Sequence, residues 1–521
     1  MVGQQLYSAK TETGVPVFPS QCSAEEKQLF QQLQKDFCTQ FEFVFPDKHA
    51  PKTVVIIPSL TMDQEILSKV NGVVHYEERL LCMLMLLRMP RTHVIYVTSV
   101  PVDEVIVDYY LHLLPGITGY HAKQRLTLLS CFDASPKSLT EKILSRPRLI
   151  NRIRQHIPEN HTAHLACFTV TEHERSLAVR LNIPVFGCDP DLFYYGTKSG
   201  SRKIFKDCNI PVPPGFEDLK NEMEVIESLV KLKTAYPSVK KAVVKMNDGF
   251  SGEGNGIFSF EGAPVKGNLQ RWVETKFKKT FKIVAEGLSY ESFFYKFQSM
   301  GGIVEAFVEG AIKTSPSVQC RINPLGVAEV VSTHDQMLGG ESRQVFLGAN
   351  FPAHADYTVE IGIMGKEVAR ELQKYGVLGR LGIDFISVKE NDVWKHYAIE
   401  INLRKGGTTH PYLMLQFLTD GEYNADTGVY LTANRQPRYY YASDNLKSEH
   451  YKGLTPHDLI DIAMCNELLY DGTSQEGVMF HLIGALSQYG KLGVVCIGST
   501  PERAYNFYER TVEVLDRESI C

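Results

Sequence analysis

Four short runs rich in β-branched and large apolar residues begin at Val54, Val94, Leu126 and His164, so that successive starts lie 32 to 40 residues apart. Each run is followed by a helical stretch. That alternation predicts βα units around a mostly parallel sheet. Helical repeats can share such a period but would not carry strand-like runs. Ile183 to Gly187 reads as one more strand closing this domain. No G-x-G-x-x-G follows the first run, which excludes a dinucleotide fingerprint at that turn.

The chain has 521 residues, enough for three or four domains. Its net charge of −5 argues against a generic nucleic-acid binder, which would be basic. No apolar run approaches the length of about 18 residues that a membrane span needs. Met1 to Ser20 lacks the apolar core of a signal peptide, which predicts a cytoplasmic protein. Eleven scattered cysteines, none in a C-x-x-C pair, predict reduced core thiols rather than a disulfide framework. Sixteen histidines contain no H-E-x-x-H, so a sequence-local metal site of the His or Cys kind is not expected.

The sequence divides into four stretches. Residues 1–50 form an extension with a short helix, opened by a Ser23/Glu26 capping box and carrying Leu29, Phe30, Leu33 and Phe37 on one face. Residues 51–194 are the α/β domain, 195–435 a second domain, and 436–521 a small α/β unit reached through a link rich in tyrosine (Tyr439, Tyr440, Tyr441). In that last unit Val494 to Ile497 reads as a strand, and Ser499-Thr500-Pro501-Glu502 as a helix start.

Two stretches of the second domain carry chemistry. Strand-like Ala242 to Met246 bears Lys245 and runs into a loop with Gly249, Gly252, Gly254 and Gly256. Glycines let backbone N–H groups converge on an anion, and a lysine adds a point charge for a phosphate. A glycine-rich hairpin with a surface lysine fits the same residues. Glu253 sits oddly beside a phosphate and must point away or be offset by a metal ion. Further on, Gly379 to Val388 and Tyr397 to Asn402 read as an antiparallel pair with a polar turn at Lys389 to Asp392. Asp384 lies on the first strand, and Glu400 and Asn402, two apart, share a face of the second. Three oxygen ligands at one end of a hairpin suit Mg2+. Arg404, two further on, can meet a phosphate or an oxyanion. A polar hairpin with a solvated carboxylate pair is the competing reading. A third stretch, Gly301 to Gly310, is an apolar strand with acids at Glu305 and Glu309; alone it is equally an edge strand.

In this order the motifs resemble the ATP-grasp superfamily. Glu400 to Pro411 (Glu-Ile-Asn-Leu-Arg-Lys-Gly-Gly-Thr-Thr-His-Pro) is similar to the signature of the pheganomycin-type peptide ligases, as are the segments 471–487 and 491–498 to their C-terminal domain. The resemblance spans roughly residues 50–521. It implies a parallel-sheet pre-ATP-grasp domain, a two-lobed ATP-grasp fold and a small C-terminal α/β unit, an α/β and α+β multidomain protein. By that resemblance Lys198 and Lys245 are the ATP lysines, with Gly249, Gly252 and Gly254 in the loop over the phosphates. Glu305 to Val308 is the adenine-contacting hinge and Glu309 a ribose ligand. Asp384, Glu400 and Asn402 bind Mg2+, and Arg404, with Arg321 as a second candidate, stabilises transferring groups. The implied activity is ATP- and Mg2+-dependent ligation of a carboxylate to an amine through an acyl-phosphate, with amino acids or peptides as substrates. A non-catalytic ATP-binding scaffold and a phosphotransferase without an amine step remain open alternatives, as do oligomeric state and the role of His410.

Overall fold

The computed structural model describes residues 21–61, 71–249, 254–265, 267–285, 287–339 and 345–519. Gly252 and Glu253 lie outside these residues.

The expected βα units form a four-stranded parallel sheet in the order Leu126–Ser130, Thr92–Thr98, Lys52–Ile57, Thr162–Cys167, with Val185 bridged to Leu165 at the outer edge. The strand Lys52–Ile57 is buried throughout, as an interior parallel strand covered on both faces must be. Val55 and Ile57 point into a core shared with Phe30 and Leu177, whereas Val54 and Ile56 point into a core shared with Leu84 and Val494. The second face thus packs into the same core as the C-terminal segment, with Val494 lying 440 positions beyond Val54.

The N-terminal helix, Ala24–Val44, is longer than expected and buries Phe30 and Phe37. Only half of the expected capping box forms. The Ser23 hydroxyl accepts from Glu26 N–H, but the Glu26 carboxylate accepts instead from Cys22 N–H and the Ser176 hydroxyl. Gln34 pairs through its side chain with the backbone of Val185 in both directions. The helix therefore closes the edge of the parallel sheet and is part of that domain's core.

Two antiparallel sheets follow. A five-stranded sheet runs Gly215–Leu219, Gly302–Ala306, Lys241–Met246, Asn255–Ser259, Lys282–Ile283. Its core is aromatic, built from Phe258, Phe277, Phe293 and Phe297. A nine-stranded sheet holds Ile312–Thr314, Gly379–Glu390, Pro316–Ile322, Ala328–Gly339, Val345–Phe351, Tyr439–Lys447, Lys491–Gly498 and Gly477–His481, with Val393–Asn402 paired to Gly379–Glu390.

The tyrosine-rich segment is not a linker. It is the strand Tyr439–Lys447, pairing with Val345–Phe351 on one side and Lys491–Gly498 on the other. Aromatic side chains suit a half-buried pleated surface. Tyr440 is buried, stacks on Phe351 and hydrogen-bonds His334 at 2.7 Å. The helix Pro501–Glu518, capped by Thr500, starts where the Ser-Thr-Pro-Glu pattern expects it and covers the last strands. Among the described residues no helix is long and apolar enough to cross a membrane, and the ten described cysteines are all free.

Candidate active site

A cavity of about 990 Å³ opens between the two antiparallel sheets and the carboxyl edge of the parallel one, where Phe168 lines it. Ligands in α/β folds bind at this edge of the strands.

The hairpin Gly379–Glu390 with Val393–Asn402 turns at Asn391 and Asp392, both at positive φ, as a two-residue hairpin turn requires. Its register sets Asp384 opposite Glu400 and Gly382 opposite Asn402. The Asn402 amide donates to Asp384 Oδ2 at 3.0 Å and to Glu400 Oε1 at 3.1 Å, and Gln336 donates to Asp384 Oδ1 at 2.6 Å. Burial, reinforced by the neighbouring Glu400 charge, raises the Asp384 carboxyl above its ordinary range. Burial would raise Glu400 too, but Lys198 and then Lys245 hold it below its ordinary range. Two adjacent carboxylates and an amide oxygen, held together on one buried face, are the donor set a hard divalent cation takes. The residues fit Mg2+.

Lys198 opens the helix Lys198–Asp207 and its Nζ lies 2.5 Å from Glu400 Oε2. Asn247 sets that helix in place: its carbonyl accepts from Lys198 N–H and its side-chain oxygen from Ser199 N–H, while its own N–H donates to Gly301 O. Gly301 has φ +72°, and a Cβ there would press on the Asn247 amide, so glycine is required. Lys245, on Lys241–Met246, pairs with Glu305 Oε1 at 2.6 Å, and Arg202 pairs with Glu305 Oε2 at 3.0 Å. Gly249 and Gly254 line the cavity beside these lysines. Val308 lines it too, and Val243, Met246 and Phe307 add apolar surface.

Arg404 and the Gly406 to Thr409 loop form another part of the wall. Lys405 anchors this loop to the parallel sheet. Its ammonium donates to the Cys167 carbonyl and its N–H to Phe168 O, and burial pushes the ammonium down to about 8. Gly407 lies so close to Phe346 that a Cβ would meet the ring at 2.6 Å.

Three of the expected site residues are placed differently from the rest. Arg321 is not among the cavity-lining residues; it sits at the end of Pro316–Ile322 and pairs with Glu329 on the next strand. Glu309 also lies off the cavity wall, exposed, with Lys240 at 3.9 Å. Glu305 does line the cavity, but both its oxygens are taken by Lys245 and Arg202. It acts as a counter-charge and not as a free acceptor.

The structure also adds a wall that motif reading missed. The tight helical segment Val73–Arg88 contributes Tyr76 and Arg79, and the C-terminal strands contribute Asp444, Lys447 and Lys491. Arg79 pairs with Asp444 at 2.6 Å and stacks its guanidinium over Tyr76, and Lys491 donates to the Tyr76 hydroxyl at 2.8 Å. These partners are about 365 and 415 positions apart in sequence, so no local pattern joins them.

The family profile described as "IQCH-like, ATP-grasp" matches residues 192–274 and 265–426. Residues 192–426 are an ATP-grasp domain by this match. The profile "PGM1 C-terminal domain" matches residues 458–511, behind the ATP-grasp domain. An L-propargylglycine–L-glutamate ligase of Streptantibioticus cattleyicolor is 28% identical over 474 residues, covering 89% of this chain and 94% of that protein. An IQ motif-containing protein H of Danio rerio is 24% identical over 426 residues, covering 73% of this chain and 40% of that protein, so the chain spans less than half of that relative's length. Among solved structures, a Campylobacter jejuni biotin carboxylase shares the fold at a TM-score of 0.53 and 12% identity, over 90% of this chain and 95% of that one. The biotin carboxylase domain of a Hydrogenobacter thermophilus 2-oxoglutarate carboxylase does so at 0.53 and 11%, over 89% of each chain.

Proposed function

We propose that this protein is an ATP-dependent ligase that joins a carboxylate to an amine, with amino acids or short peptides as substrates. The observation that carries the reading is convergence on one cavity: Lys198, Lys245, Asp384, Glu400, Asn402 and Arg404 all line it, although they come from strands, a helix and loops of both sheets. The relative that ligates two amino acids, aligned over 89% of the chain, supports the choice of substrate class.

In such a reaction a substrate carboxylate oxygen takes the γ-phosphoryl group of ATP, ADP leaves, and an amine then displaces phosphate from the acyl carbon. Lys198 and Lys245 hold the phosphates; each now pairs with a carboxylate that phosphate oxygens would replace. Gly249 and Gly254 line the cavity beside them and would let backbone N–H groups approach the phosphates. Val308, just past the strand Gly302–Ala306, and the backbone beside it take the adenine. Asp384, Glu400 and Asn402 hold Mg2+, which supplies charge neutralisation at the phosphates. Arg404, beside these ligands, faces the oxyanion that forms when the amine adds. Lys447 and Lys491 offer cations to a substrate carboxylate on the second wall.

The test is ADP release from ATP and Mg2+ with added amino acids and dipeptides, with products followed by mass spectrometry. ADP that appears only with both an acid and an amine, with an amide product, is the expected result. A phosphorylated product would convert the reading to phosphotransfer. ATP binding by folded protein with no ADP from any pair would sink it in favour of a scaffold.

A further inference from the structure

One buried cluster is not used by this mechanism. His410 lies in the first turn of the helix Thr409–Thr419, Asp444 on the strand Tyr439–Lys447, and His481 at the end of Gly477–His481. All three side chains are at least nine-tenths buried. His410 Nε2 lies 2.9 Å from His481 Nε2, and the two nitrogens lie 3.3 and 2.7 Å from the same Asp444 oxygen, Oδ1.

Protons alone do not satisfy this arrangement. If both imidazoles carry their proton on Nε2, two N–H groups meet at 2.9 Å and compete for one oxygen. If either carries it on Nδ1, that proton is buried without an acceptor, because neither Nδ1 has a partner. Its Nε2 lone pair can accept from the other ring, but it still lies against the carboxylate oxygen and the Nδ1 proton stays unpaired. A cation at the centre removes the conflict, since it takes a lone pair from each of the three atoms.

The geometry suits that cation. Ligand atoms of a tetrahedral zinc site, with bonds of about 2.0–2.1 Å, lie about 3.3 Å apart. One side of the triangle already has that length, and the other two are shorter by about half an ångström. The surroundings fix the ligands. Arg79 donates to the other Asp444 oxygen at 2.6 Å and leaves Oδ1 for the centre. The His481 ring occupies the space a side chain at Gly493 would fill, with Nε2 2.0 Å from the position of the missing Cβ. Two imidazoles with one carboxylate favour a borderline metal over Mg2+. Asp444 also lines the cavity, which gives a fourth, exchangeable ligand a route in.

We propose that His410, Asp444 and His481 bind one zinc-class divalent cation, at a site separate from the Mg2+ ligands Asp384, Glu400 and Asn402. The site does not depend on the ligase reading.

The experiment uses the full chain without a polyhistidine tag. It is loaded with Zn2+, desalted and analysed for metal by mass spectrometry, and separately titrated with Co2+ while the visible spectrum is recorded. The expected result is about one zinc per chain and the intense visible bands of four-coordinate cobalt. His410→Gln and His481→Gln should lose both signals, and Asp384→Asn should keep both. Circular dichroism checks that each variant folds. Where a His variant does not fold, the cobalt spectrum and metal content of the unaltered chain decide. Folded chain that retains no zinc and gives no cobalt spectrum overturns the proposal, as does a folded His variant that keeps its metal.

Discussion

Two walls of one cavity differ in how they handle charge. On the nucleotide wall both lysines meet an opposite charge within their own domain: Lys198 with Glu400, and Lys245 with Glu305. On the second wall Arg79 must reach a strand 365 residues away to find Asp444, and Lys491 ends on a tyrosine hydroxyl. The first wall is assembled by one domain. The second exists only where the parallel domain and the C-terminal strands share a core. The difference parallels the proposed division of labour, with phosphate binding on the first wall and substrate selection on the second.

The largest expected effect tests the nucleotide wall. Glu400→Gln keeps the shape of the side chain but removes the charge that pairs with Lys198 and that the proposed cation would take. ADP formation should fall roughly 10²–10³-fold, the scale seen when one electrostatic partner of a reacting group is lost. Undiminished turnover would remove Glu400 from the site and erase the contrast between the walls.

The second test concerns the scaffold of the other wall. Glu77, on Val73–Arg88, accepts from the Ser99 N–H and hydroxyl and is buried. Burial raises its carboxyl from an ordinary 4.5 to about 7. Between these values the folded protein holds a proton that the unfolded chain has released, so stability falls as pH rises through that window and is level above it. A shift of this size corresponds to about 3 kcal/mol. Glu77→Gln should flatten the decline between pH 4.5 and 7 in denaturant melts. If the slopes of variant and parent coincide, Glu77 is not the group that sensitises this wall.

Legibility in the sequence followed the same division. The parallel strands and the hairpin of Asp384, Glu400 and Asn402 were readable because each rests on a local period or on partners 2 to 18 residues apart. Lys198 and Lys245 were readable through the resemblance of their motifs. Arg202, Gln336 and Asn247 were missed because each is a single polar residue whose role comes from a strand or helix packed against it later. Arg79, Asp444 and His481 were missed, and His410 was singled out without a role, for a stronger reason, since their hydrogen bonds to one another join residues 37 to 365 positions apart. Tyr439 to Tyr441 misled because aromatic richness does not distinguish a linker from an interior strand until its neighbours are known.

A third variant sharpens the contrast on the substrate side. Lys447→Ala, at an exposed position, should leave the KM for ATP unchanged. The KM for the amino-acid or peptide substrate should rise roughly tenfold, the value of one charge-assisted hydrogen bond. Equal rises in both constants would show that the two walls do not divide their ligands.

The smallest expected effect falls on Glu309, the residue resemblance assigns to the ribose. It is exposed, lies off the cavity wall and sits 3.9 Å from Lys240, itself largely exposed. Exposed pairs of this kind contribute little, because solvent screens them and both side chains lose freedom to stay together. Glu309→Ala should therefore change the KM for ATP by less than about threefold, the scale of such a surface contact. A much larger rise, with melting behaviour unchanged, would mean that the strand end turns inward when nucleotide binds. Part of the nucleotide wall would then depend on ligand for its assembly, as the second wall depends on the meeting of two domains.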